Sequence, residues 1–89
     1  MPESSETITL AVDLHARPAG ALAVAAAQFA AAVSVSTGTK TANAKSVLGV
    51  MGLGATVGQQ VTVAADGPDA ATAVTTLIAI LADAAPVGG

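Results

Sequence analysis

Apolar and polar positions alternate near the start of the chain. Ile8, Leu10 and Val12 fall on one side of a strand over Thr7 to Val12, with Thr7, Thr9 and Ala11 on the other. The period then lengthens: Leu22, Ala26, Phe29 and Val33 follow a spacing of three and four, which predicts a helix with Pro18 in its first turn, running to about Ala31. Alanines blur that pattern, so helix propensity carries the assignment more than amphipathic contrast does, and Gly20 opposes it only near the start. Alternation returns with Val33, Val35 and Thr37 against Ser34 and Ser36. Gly38 permits a turn into a short third strand, roughly Thr39 to Asn43. Ser46 is a good N-cap for a short helix from Val47 to Met51, ended by Gly52. Gly54 and Gly58 mark a loop, after which Gln60 to Ala65 alternates with Val61, Val63 and Ala65 inward. Asp66-Gly67 turns the chain and Asp69 is placed to cap a last helix. On that helix Ala73, Leu77 and Leu81 make one face, flanked by Val74, Ile78 and Ile80. The tail Pro86-Val87-Gly88-Gly89 is expected to fray.

The order is βαββαβα, which predicts an α+β fold. The expected form is an open-faced two-layer sandwich, a four-stranded antiparallel sheet with three helices on one face. At 89 residues the whole of 1–89 reads as one domain, with no internal repeat and no room for a second domain across a substrate cleft.

Composition then removes several classes of function. With 53% hydrophobic and 10% charged residues the chain is not a disordered segment. Phe29 is the only aromatic residue, and the apolar content is largely Ala and Val, so the core must rely on close backbone approach. The absence of cysteine excludes disulfide scaffolds and thiol catalysis, and one histidine with scattered carboxylates argues against a metal site. A net charge of -3, three dispersed cations and no stacking aromatics argue against nucleic acid. The uncharged run from Pro18 to Thr39 is long enough to cross a bilayer, but it contains Gln28, Ser34, Ser36, Thr37 and two glycines. The N-terminus is acidic and polar, unlike a signal peptide. A soluble cytoplasmic protein is expected.

The chemically loaded segment is Leu14-His15-Ala16-Arg17-Pro18-Ala19. With Pro18 in the first turn, His15 stands at or near the N-cap, and the backbone N–H groups of Ala16 and Arg17 are among the unpaired donors of the helix. A phosphoryl group on a ring nitrogen could accept those bonds and feel the positive end of the helix dipole. The Arg17 guanidinium suits phosphate oxygens. The helix terminus favours a neutral, nucleophilic ring, whereas the Asp13 carboxylate favours a protonated one. On chemistry alone the competing reading is a solvated surface histidine.

These residues resemble the active-site motif of the HPr family, the histidine-containing phosphocarriers of the bacterial phosphoenolpyruvate-dependent sugar phosphotransferase system. A second stretch, Ala42 through Lys45, Ser46, Val47 and Leu48 to Met51-Gly52-Leu53-Gly54-Ala55, resembles the family's regulatory-serine motif in the expected register. Gly67 to Asp69 and the last helix also fit, so the resemblance covers nearly the whole chain. It implies that His15 is phosphorylated on Nδ1 by enzyme I and passes the group to a histidine of a sugar-specific enzyme IIA. Arg17 would steady the phosphate, and no cofactor or metal is implied. The chain would be a stoichiometric carrier, a monomer, rather than a stand-alone enzyme. Asp13 departs from the glycine that the family usually has there, which bears on loop flexibility and on the acid–base setting of His15.

The resemblance also makes Ser46 a target of HPr kinase/phosphorylase, where a phosphate would place a dianion on the docking surface. The plainer reading of Ser46 is an N-cap worth about 1 kcal/mol. Gly20, Val24, Lys45, Val47, Leu48 and Met51 are the expected partner-docking residues. Val24 and Ala27 stand where many relatives carry lysines, so docking is expected to be more apolar and less steered by charge. Two alternatives stay open: a carrier of a nitrogen-related or dihydroxyacetone-linked relay, and a non-carrier regulatory module of the same fold. Retention of both His15 and Arg17 counts against the second.

Overall fold

The computed structural model describes residues 3–11 and 13–83. Its elements run β1 (Glu3–Thr9), α1 (Ala16–Ala26), β2 (Ala32–Ser36), β3 (Thr41–Asn43), α2 (Val47–Met51), β4 (Gln60–Asp66) and α3 (Ala70–Asp83), the order expected. The strands form one antiparallel sheet in the order β1-β4-β2-β3. Register puts Ile8 opposite Val61, and Val35 and Val33 opposite Val63 and Ala65, so the apolar positions share one face. The helices cover that face, and Leu22, Leu77, Leu81, Val35, Val50, Val61 and Val63 are fully buried between the layers. The opposite face is polar, with the Thr7 and Thr62 hydroxyls 2.7 Å apart. No helix among the described residues is long and apolar enough to cross a membrane.

Three elements differ from the sequence pattern by two residues or more, the first two for tertiary reasons and the third for a local one. The first strand is Glu3–Thr9 rather than Thr7 to Val12. It pairs with β4 over its full length, from Glu3 opposite Asp66 to Thr9 opposite Gln60. Backbone pairing at a sheet edge needs no apolar side chains, so alternation missed the polar half. Leu10 is buried beyond the strand's end, and Val12 lies outside the described residues, as does the Pro86–Gly89 tail.

The second difference is the end of α1, which closes at Ala26 instead of about Ala31. The last turn tightens as Gln28 and Phe29 donate to the carbonyls of Ala25 and Ala26. The amides of Ala30 and Ala31 then donate to Asp69 Oδ2 and Oδ1, both at 2.9 Å, which turns them out of the helical ladder. Phe29 is consequently half-buried after the helix and Val33 belongs to β2. Thirdly, β3 begins at Thr41 rather than near Thr39, because Thr37 Oγ1 accepts from the amides of Thr39 and Lys40 and makes a turn there.

Asp69 precedes α3 as expected, but its backbone carbonyl is what serves the helix, accepting from Ala73 N. Its carboxylate is committed to the Ala30 and Ala31 amides. The Ala30 hydrogen bond, chiefly, holds that carboxyl below the usual carboxylate range. Gly67 completes the junction with φ +151°, and a Cβ there would lie 2.7 Å from Ala31 Cα. Only glycine permits this approach.

Candidate functional site

His15 is the N-cap of α1, with extended backbone (φ -86°, ψ -169°) and no side-chain capping bond. Its carbonyl accepts from Ala19 N at 2.9 Å, while Pro18 has no N–H to offer. Among the described residues nothing accepts from the amides of Ala16 and Arg17, the remaining donors of the first turn. No acidic residue occupies that turn. The imidazole is 79% exposed, and among the described residues no hydrogen bond or ion pair holds the Arg17 guanidinium. Arg17 borders a shallow groove with Pro18, Ala21, Thr75, Thr76, Ala79 and Ile80, so α3 supplies the far wall.

Asp13 is drawn into the same site. Its Oδ1 accepts from Val57 N at 2.7 Å and its Oδ2 lies 3.4 Å from His15 Nε2. The segment from Leu10 to Leu14 is laced to the loop before β4. Leu10 N donates to Gln59 O, Gly58 N to Leu10 O, and Leu14 N to Ala55 O. Gly54 (φ +64°) and Gly58 (φ +91°) let that loop bend back.

At α2, Ser46 is the N-cap, its hydroxyl accepting from Gly49 N at 3.0 Å. The helix is the Val47–Met51 segment expected. Its C-cap Gly52 keeps right-handed backbone, and the left-handed turn falls on Gly54 instead.

Comparison with known proteins decides what this arrangement belongs to. The family model for the HPr component phosphorylation site of the phosphotransferase system matches residues 2–83. The phosphocarrier protein HPr of Mycoplasma capricolum is 36% identical over 89 residues, covering all of both chains. That of Lysinibacillus sphaericus is 42% identical over 77 residues, covering 86% of this chain and 88% of its own. The crystal structure of a phosphocarrier HPr from Bacillus anthracis superposes with a TM-score of 0.84 at 30% identity, covering 91% of this chain and 99% of that one.

The chain belongs to the HPr family.

The helical surface of this HPr carries several exposed apolar side chains. Val24 on α1 is 66% exposed and Leu48 on α2 is 81% exposed, with Val47, Met51, Ala27 and Lys45 also reaching solvent. α1 and α2 pack against one another. Gly20 is half-buried, yet a Cβ built there meets nothing within 4 Å, so the position opens outward. Lys45 is less free than expected: its Nζ donates to Phe29 O at 2.9 Å, tying α2's entry to α1's exit. The contribution of residues 55–59 was missed by sequence reasoning. Val57 lies 60% exposed beside the site and its amide orients Asp13. Gly54 and Gly58 signalled a loop, but nothing in their spacing signalled its partner.

Proposed function

We propose that His15 is the phosphoryl carrier of this HPr, taking the group on Nδ1 from enzyme I and handing it to a histidine of an enzyme IIA domain. The observation that supports this most directly is an exposed histidine N-cap, in a turn free of acidic side chains, beside two amides that meet no acceptor among the described residues. Phosphate oxygens are suited to the Ala16 and Arg17 amides and to the guanidinium of Arg17. The N–P bond is labile, so a carrier needs to position the group without over-stabilising it. On this reading the protein acts stoichiometrically in the cytoplasm and is not itself an enzyme.

Docking is assigned to Gly20, Val24, Lys45, Val47, Leu48 and Met51, where exposed apolar side chains on two adjacent helices offer area to a partner. Ser46 is assigned a regulatory role under HPr kinase/phosphorylase. It abuts Val47 and Leu48, so a phosphate there would be accommodated by its own helix terminus but would oppose an apolar partner.

Incubation with phosphoenolpyruvate and enzyme I, followed by intact-mass measurement, tests the carrier assignment. One phosphoryl group is expected, stable in base and lost in acid. H15A should accept none while folding as the wild type does, since the exposed ring makes no capping bond. Equal labelling of H15A would refute the assignment.

A further inference from the structure

Asp13 differs from an ordinary surface carboxylate in how little freedom it has. Backbone bonds hold the chain on both sides of it, at Leu10 and at Leu14. The loop they attach to is itself braced, with Gln59 Oε1 accepting from both the amide and the hydroxyl of Thr56. That loop presents Val57 N to Asp13 Oδ1 at 2.7 Å, which leaves Oδ2 directed at His15 Nε2, 3.4 Å away. The Asp13 side chain is 39% exposed, half that of the histidine.

We infer that Asp13 is a positioning residue for phosphoryl transfer: it keeps the imidazole proton on Nε2, leaves Nδ1 as the nucleophile, and offsets the positive charge that the ring acquires. The inference rests on His15 being the carrier. In the step, the Nδ1 lone pair of a neutral ring attacks phosphorus and an N–P bond forms. The donor histidine's N–P bond breaks, and its electron pair returns to the donor nitrogen. The Nε2 proton stays in place throughout, so the accepting ring becomes cationic as the donor ring loses its charge. A carboxylate beside Nε2 stabilises that cation, as the aspartate behind a catalytic histidine does in hydrolase triads. Transfer onward to the next histidine is the same step reversed, with the ring returning to neutral. Solvent around the exposed ring screens the pair and keeps the effect modest.

Two substitutions separate this role from a structural one. D13N retains an oxygen for the Val57 amide, so its NH2 group must face Nε2. There it donates to the ring and drives the proton to Nδ1, blocking the nucleophile. D13A loses the bond to Val57 but leaves the ring free to choose its tautomer. Single-turnover transfer from phosphorylated enzyme I should therefore slow more in D13N, by about tenfold, than in D13A, by about threefold. Half-saturation concentrations should stay within about twofold, because the loss is in the step and not in docking. Ring ¹⁵N shifts of the single histidine, read in the neutral-ring range, should show the Nδ1–H tautomer gaining population in D13N. A purely structural Asp13 predicts the opposite order, with D13A the slower. That order, an unchanged rate in D13N, or an unchanged tautomer ratio would each overturn the inference. If the wild type itself takes no phosphate, the carrier assignment falls instead.

Discussion

Asp13 and Asp69 both bind backbone amides across the fold, yet they have been left with different remainders. Asp69 commits both oxygens, to Ala30 and to Ala31, and is a clamp between the exit of α1 and the start of α3. Asp13 commits one oxygen, to Val57, and holds the other toward His15. The first carboxylate is consumed by the architecture, and its surroundings are rigid enough to require a glycine at 67. The second keeps acceptor capacity beside an imidazole that is largely exposed. The comparison teaches that a fold can use one carboxylate–amide device either to close a junction or to aim a residual charge, according to how many amides meet it.

The largest expected effect on folding lies at the closed junction. G67A forces a positive φ onto an L side chain and drives its Cβ against Ala31 Cα, a backbone atom that cannot swing aside. A loss of about 2–4 kcal/mol is expected in denaturant unfolding. A wild-type midpoint would mean that the junction relaxes and is no clamp.

D69N sharpens the comparison through pH. The Ala30 and Ala31 amides hold the Asp69 carboxyl below its ordinary range, so the unfolded chain takes up its proton at higher pH than the folded one does. Its stabilising contribution is fully present above about pH 4 and is lost as pH falls through the lowered folded value. D69N should be less stable than the wild type at neutral pH, and the gap should close on acidification. A gap independent of pH would show that the charge on Asp69 plays no part.

The smallest effect on stability is expected for D13N, which keeps its bond to Val57. A change within about 0.5 kcal/mol is predicted, although phosphoryl transfer slows. A larger loss in unfolding experiments would make the two aspartates alike and remove the distinction between them.

Much of the fold was legible because it is local. The βαββαβα order, Ser46 as cap of α2, and the inward set Val61, Val63 and Ala65 all follow from period and capping chemistry within a few residues. The placing of His15 was legible for the same reason, since a proline in the first turn makes the preceding histidine a helix terminus beside amides outside the helical ladder. The polar Glu3-Ser4-Ser5-Glu6 stretch of β1 was not legible, because β4 supplies its hydrogen bonds from the far end of the chain.

The order of the elements and the helix starts, with His15 and Arg17 at one and Ser46 at another, are thus set within the sequence itself, and these are the residues to which the proposed chemistry is assigned. Only the tertiary structure decided where α1 stops, what Asp69 binds, and that Asp13 faces His15 with one oxygen while Val57 holds the other. The physical reason is range. Periodicity and capping act over one turn of helix or one pleat of strand, whereas a carboxylate's partners are chosen by whichever amides the packed sheet and helices bring to it.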